Sequence, residues 1–178
     1  LAIKEYLPAD LAARELNQKT VSIFSGERRE HFQYGLERFI EENKALARFN
    51  GHAGIVTIYD SFRENNTAYL VMQYVEGMTL KQYLTQKGNK IPFEEALKIM
   101  MPVLDALREI HSAGMIHRDI SPDNIYLSQQ GHVKLLDFGA ARYAVSEQSR
   151  SLSVVLKPGY APEEQYRSKG NQGPWTDI

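Results

Sequence analysis

The sequence predicts an α+β fold in two lobes, and three observations carry that prediction. Two runs rich in β-branched and aromatic residues, "IVTIYDSF" (55–62) and "TAYLVMQY" (67–74), flank the turn residues of "RENN", which is the signature of an antiparallel hairpin. Apolar residues recur at helical spacing on either side of it, first as Leu36, Phe39, Ile40, Leu46 and Ala47, later as Ala96, Leu97, Met100, Leu104, Leu107 and Ile110. Between the hairpin and the second helical stretch, Gly77 breaks the chain and marks a seam between lobes.

Taken in order, residues 1 to 4 read as a short strand ending in Lys4, and Pro8 interrupts the pattern. A polar stretch follows, in which "TVSIF" (20–24) alternates like a strand and Ser25-Gly26 ends it, so a small hairpin is inserted over about residues 6–33. An amphipathic helix is expected over about 34–49, stopped by Asn50-Gly51. Beyond the large hairpin, a short helix near Thr79 to Gln86 leads to a long one from about Phe93 to Ala113, which Pro102 should kink. "NIYL" and "HVKLLDF" then read as strands around the turn "SQQG". The first residues look like mid-strand and "PWTDI" like the approach to a helix, so the sequence reads as an excerpt incomplete at both ends.

Composition narrows the function classes. Of 178 residues 43% are hydrophobic, enough for a packed core. The 21 basic and 22 acidic residues form no long block of either sign, which argues against a nucleic-acid surface. No apolar run approaches the roughly 18 to 20 residues that span a bilayer, so no membrane contact is expected from this segment. Without cysteine there is no disulfide framework, thiolate metal site or thiol nucleophile, which fits a reducing compartment and a cytoplasmic location. Nothing in the sequence speaks to oligomeric state.

Three short motifs fall in order along the second half: His117-Arg118-Asp119 with Asn124 five residues after the aspartate, Asp137-Phe138-Gly139, and Ala161-Pro162-Glu163. In this conjunction the sequence resembles the protein kinase family over nearly its whole length. "LAIK" is similar to that family's lysine strand and "YLVMQYVEG" to the segment joining its lobes. The resemblance implies a two-lobed fold, a small antiparallel sheet with one helix (1–76, hinge 73–77) and a mainly helical larger lobe (77–178) with a catalytic loop (117–124) and an activation segment (137–163). It implies transfer of the ATP γ-phosphate to serine or threonine of a protein substrate, with Mg2+. A pseudokinase, binding nucleotide or partners without turnover, is the alternative.

Phosphoryl transfer needs charge neutralisation and in-line positioning more than covalent help, and magnesium prefers hard oxygen donors. The resemblance accordingly implies Asp119 as the residue orienting the attacking hydroxyl, Asp137 and Asn124 as magnesium ligands, and Lys4 on the α and β phosphates. Lys4 should be fixed by an acid on the first long helix, where Glu42 is favoured over Glu41; Leu46, one turn on, would join Ile58, His117 and Phe138 in an apolar stack. Adenine is expected against backbone groups of Gln73 and Val75, between Ala2 and Tyr126, with Met72 behind it. Asp177 resembles the aspartate that braces the HRD backbone.

One departure stands out. Relatives of the serine/threonine type carry lysine two residues after the catalytic aspartate, and here that position is Ser121; near the proline-glutamate motif, where they carry threonine, "LKPGYAPEE" places Lys157. The two changes mirror each other, so Lys157 is expected to reach back toward Asp119 while Ser121 supplies the hydroxyl. Arg118 beside the aspartate matches relatives ordered by phosphorylation, and of Ser146, Ser149, Ser151 and Ser153 the last two are the expected regulatory phosphorylation sites.

Overall fold

The computed structural model describes residues 1–137, 142–143, 157–167 and 170–178, with only the backbone of 142 and 143. In chain order its elements are β1 (Ala2–Glu5), β2 (Ala12–Ala13), β3 (Ser22–Ile23), α1 (Glu27–Leu46), β4 (Ile58–Glu64), β5 (Thr67–Met72), β6 (Gly77–Thr79), α2 (Leu80–Gln86), α3 (Phe93–Ser112), β7 (Met115–Ile116), β8 (Ile125–Ser128), β9 (Val133–Leu135), β10 (Arg142–Tyr143) and α4 (Glu163–Tyr166). Single 3-10 turns follow α1 at Ala47–Phe49 and end the chain at Pro174–Asp177. The mixture of helices with antiparallel strands is the α+β architecture expected. The chain forms two compact units, Leu1–Arg48 with Thr57–Tyr74, and Phe49–Val56 with Val75–Ile178.

The first unit is built on an antiparallel sheet ordered β1-β5-β4. Its hairpin turns at Asn65 and Asn66, both with positive φ (54° and 60°), the conformation that a two-residue turn matching strand twist demands and that asparagine tolerates. Ala2, Met72 and Ile58 lie on one row across the three strands, and Lys4 stands opposite Leu70. Strand β4 starts at Ile58 rather than Ile55, because Ile55 bridges in parallel to Leu135 and belongs to the other unit.

Helix α1 begins at Glu27, not near residue 34. The expectation followed the apolar repeat and overlooked a polar first turn carrying Glu27 and Glu30, acids that favour a helix N-terminus. Phe32 in this added stretch is fully buried. It packs with Ala12, Val21, Leu36, Ile40 and Ala68, so the small β2–β3 hairpin supplies core residues. Tyr6 lies 5.1 Å from Phe32 and 5.6 Å from Phe39 between ring centroids, and burial pushes its hydroxyl pKa up to about 12. A side chain at Gly35 would meet that hydroxyl, its Cβ lying 2.0 Å from the Tyr6 oxygen.

In the second unit, β6, β8 and β9 form an antiparallel sheet and β7 pairs with β10. Gly77 opens β6 with φ 155°, against the Leu127 carbonyl, where a Cβ would lie at 2.1 Å. Helix α2 has a capping box: Thr79 Oγ1 accepts from Gln82 N–H while the Thr79 N–H donates to Gln82 Oε1. Helix α3 runs without interruption through Pro102. Its buried face is Ile99, Val103, Ala106, Leu107 and Ile110, whereas Leu97 and Leu104, expected inside, are 43% and 41% exposed. The helix is apolar on more than one side, so the expected stripe shares Leu107 and Ile110 with the face that packs but extends onto its exposed flank at Leu97 and Leu104.

Candidate active site

The catalytic loop runs from β7 to β8, and its backbone is held by side chains from distant parts of the second unit. Asp177, whose side chain is fully buried, accepts from the N–H of His117 (2.8 Å, Oδ2) and of Arg118 (2.6 Å, Oδ1), and its Oδ2 lies 2.7 Å from His111 Nε2. Gln165 Nε2 donates to the Arg118 carbonyl at 2.8 Å. Arg118 is thus gripped on both sides of its peptide while its φ is 69°, a left-handed conformation that costs a non-glycine residue roughly 1–3 kcal/mol unless its surroundings impose it. Asp137 shares this feature, with φ 59°.

His117 is fully buried. The Asp119 N–H can only donate, so at 3.3 Å it makes His117 Nδ1 an acceptor; Nε2 then carries the proton and donates to the Leu136 carbonyl at 3.1 Å. Burial, the dominant influence, lowers the imidazole pKa, in keeping with a neutral ring. The ring therefore ties the catalytic loop to the strand that leads into Asp137. A second tie runs beside it, from Leu136 N–H to the Asn124 carbonyl at 2.8 Å.

Asn124, buried, donates from Nδ2 to the Asp119 carboxylate (2.7 Å, Oδ2) and to the Asp119 carbonyl (2.8 Å). The first donation orients the carboxylate and the second ties Asn124 to the loop backbone, with the amide oxygen as its acceptor end. Opposite Asn124 stands a cation. Lys157 Nζ donates to Ser121 Oγ at 2.8 Å and lies 3.8 Å from Asp119 Oδ1. Ser121 is 2% exposed, so its hydroxyl is a structural partner rather than a solvated one. Asp123, which the sequence reading passed over, is 3.1 Å from Lys157 and 3.2 Å from Lys81. A pocket of about 360 Å3 opens beside this group, lined among others by Asp119, Ser121, Lys157, Tyr160 and Gln165.

The remaining expected residues divide between the units. In the first, Lys4 is half-buried on β1, and α1 presents Glu42 half-buried while Glu41 is exposed and pairs with Arg38 at 3.4 Å. Leu46 and Ile58 are buried there, and His117 is buried in the second unit; Phe138, like Ser146, Ser149, Ser151 and Ser153, lies outside the described residues. Gln73 donates its N–H to the Thr57 carbonyl at 2.8 Å. Ala2 and Met72 face each other in register, Val75 opens the longer segment of the second unit, and Tyr126 is half-buried on β8 opposite Thr79 and Lys134. Glu163 pairs with Arg167 at the surface.

Asn124 and Asp137 supply an amide oxygen and a carboxylate, hard donors of the kind magnesium takes alongside phosphate oxygens and water. Among the described residues there is no cluster of three or more histidine or acidic ligands. Gln165, His111 and Asp123 were missed by sequence reasoning. Only Asp123 left a signal: a carboxylate inside the catalytic loop, close to where Lys157 had been placed.

Known proteins carry the same pattern. The model of the protein kinase domain matches residues 11–178. The chain is 38% identical over 144 residues to serine/threonine-protein kinase PknL of Mycobacterium tuberculosis, covering 80% of this chain and 35% of that protein. It is 39% identical over 133 residues to serine/threonine-protein kinase PrkC of Bacillus subtilis, covering 74% and 20%. A solved structure described as the PpkA-294 apo form superposes with a TM-score of 0.80 at 40% identity, covering 98% of this chain and 60% of that one. The chain thus spans about a third or less of these curated relatives, and its fold, its motifs and these matches together establish that it belongs to the protein kinase family.

Proposed function

We propose that the chain catalyses transfer of the ATP γ-phosphate to serine or threonine hydroxyls of proteins. The observation that carries the reading is Asp119, half-buried, oriented by Asn124 and flanked at 3.8 Å by a lysine. In the reaction the hydroxyl oxygen of the acceptor forms a bond to the γ-phosphorus as the bond to ADP breaks, and the hydroxyl proton passes to Asp119. Relatives named as serine/threonine kinases support the choice of acceptor.

Lys4, fixed by Glu42, would hold the α and β phosphates. The Gln73 carbonyl and Val75 N–H would bond adenine, Ala2 and Tyr126 would sandwich it, and Met72 would close the rear. Asn124 and Asp137 would hold Mg2+, which neutralises phosphate charge when bound. Lys157 takes the place of the cation usually found two residues after the aspartate, with Ser121 accepting its hydrogen bond; the 2.8 Å contact supports that exchange. Phosphorylation at Ser151 or Ser153 would bring a dianion to Arg118. The absence of cysteine supports a cytoplasmic setting, and no helix among the described residues is long and apolar enough to cross a membrane.

Transfer of labelled γ-phosphate from ATP to casein by the intact protein tests the reading. Label incorporation should fall at least about a hundredfold in Asp119→Asn, the scale of a lost general base. Incorporation by neither form would instead favour the pseudokinase.

A further inference from the structure

Asp123 bridges two lysines with one carboxylate, Oδ1 toward Lys81 at 3.2 Å and Oδ2 toward Lys157 at 3.1 Å. Lys81 is on α2, whose start is fixed by its capping box and by the Lys81 N–H donating to the Pro122 carbonyl at 2.9 Å. The carboxylate is therefore anchored from the helix side and presents its second oxygen to Lys157. Its pKa is lowered, chiefly by the hydrogen bond from Lys157, so it stands ionised beside that lysine in a pair that solvent partly screens.

Lysine is a flexible four-carbon stem carrying a point charge, with about 2 kcal/mol of rotamer freedom to lose. In the structure the ammonium of Lys157 has Ser121 Oγ at 2.8 Å, Asp123 at 3.1 Å and Asp119 at 3.8 Å. It is in hydrogen-bonding contact with the first two and outside it for the third. Without Asp123, the nearest acidic group would be Asp119 itself. A direct Lys157–Asp119 pair would occupy the oxygen that must accept the substrate hydroxyl and would draw the cation off the phosphate.

We infer that Asp123 is a positioning residue for phosphoryl transfer, holding Lys157 beside Asp119 but out of direct contact with it. The inference rests on the role proposed for Lys157, and the two are separable by experiment.

The test measures kcat and KM for ATP of the intact protein with casein as acceptor. Asp123→Asn should lower kcat about tenfold while KM for ATP changes less than about threefold, and Asp123→Glu, which keeps the charge, should recover most of the rate. In a Lys157→Met background, Asp123→Asn should cause no further loss, because the residue acts only through that lysine. A purely structural role would give the same fold-loss in both backgrounds and would overturn the inference. So would a silent Asp123→Asn beside a Lys157→Met that loses tenfold or more, which leaves the Lys157 role standing; a silent Lys157→Met overturns both. Independently of turnover, a crystal structure of Asp123→Asn should show Lys157 Nζ moved to about 3 Å from Asp119, and an unmoved Lys157 contradicts the proposal.

Discussion

Replacing Asp177 by alanine removes the acceptor for three donors at once, the N–H groups of His117 and Arg118 and His111 Nε2. The Asp177 side chain is fully buried, so no water stands ready to take its place. Leaving a buried donor unsatisfied costs about 1–3 kcal/mol, and with two backbone donors affected the loop should lose about 3–5 kcal/mol of local stability. At 1.4 kcal/mol per factor of ten, that is a fall in amide protection of roughly a hundredfold or more. Asp177→Asn keeps one acceptor oxygen and should lose about half as much in free energy. Hydrogen–deuterium exchange of the segment containing residues 115–119 in the intact protein reads the effect directly, because local opening exposes these amides. If exchange at His117 and Arg118 in Asp177→Ala stays within about threefold of the unsubstituted protein, the aspartate does not brace the loop.

Three further outcomes follow from the same geometry. Lys157→Ala should lower kcat/KM by about tenfold or more, and a change within about twofold would refute its place on the transferred phosphate. The folded-state pKa of His117 lies below its ordinary value of 6.5, so between the two values the unfolded chain binds the proton and the folded one does not. Stability should therefore fall as the pH drops below about 6.5, by up to about 1.4 kcal/mol per pH unit from this group; urea unfolding between pH 7 and pH 5 checks it, and His117→Gln should show a shallower slope. Gly35→Ala should destabilise the first unit by about 1–3 kcal/mol, since its methyl would strike the Tyr6 hydroxyl, and a thermal melt within a degree of the parent would show that Tyr6 moves aside freely.

Much of the candidate site was legible because its chemistry is compressed into short segments. His117, Asp119, Ser121 and Asn124 sit within eight residues, so the loop that links β7 to β8 keeps them near one another, and Asp177 and Gln165 fix its backbone. The reach of Lys157 to Ser121 across 36 positions was also legible, since a missing cation at one position and an unexpected one at another ask to be joined. Long-range ties with no such complementarity were not. Gln165 to the Arg118 carbonyl is a side chain on backbone, and backbone acceptors carry no residue signature. His111 on Asp177 required knowing that the end of α3 lies beside the last turn of the chain. In the fold, the hairpin was read from turn chemistry, whereas the face of α3 was only partly placed because that helix is apolar on several sides. The start of α1 was missed because polar residues with good helix propensity leave no period to read.

The claim on which the function depends is that Lys4, Asp119, Asn124, Asp137 and Lys157 act on one nucleotide. A crystal structure of the intact protein with Mg2+ and a non-hydrolysable ATP analogue tests it most directly. The expected result is Lys4 and Lys157 each within about 3.2 Å of a phosphate oxygen, with Mg2+ on Asn124 and Asp137. A bound nucleotide whose terminal phosphate lies away from Asp119, with Lys157 contacting no phosphate oxygen, would contradict it.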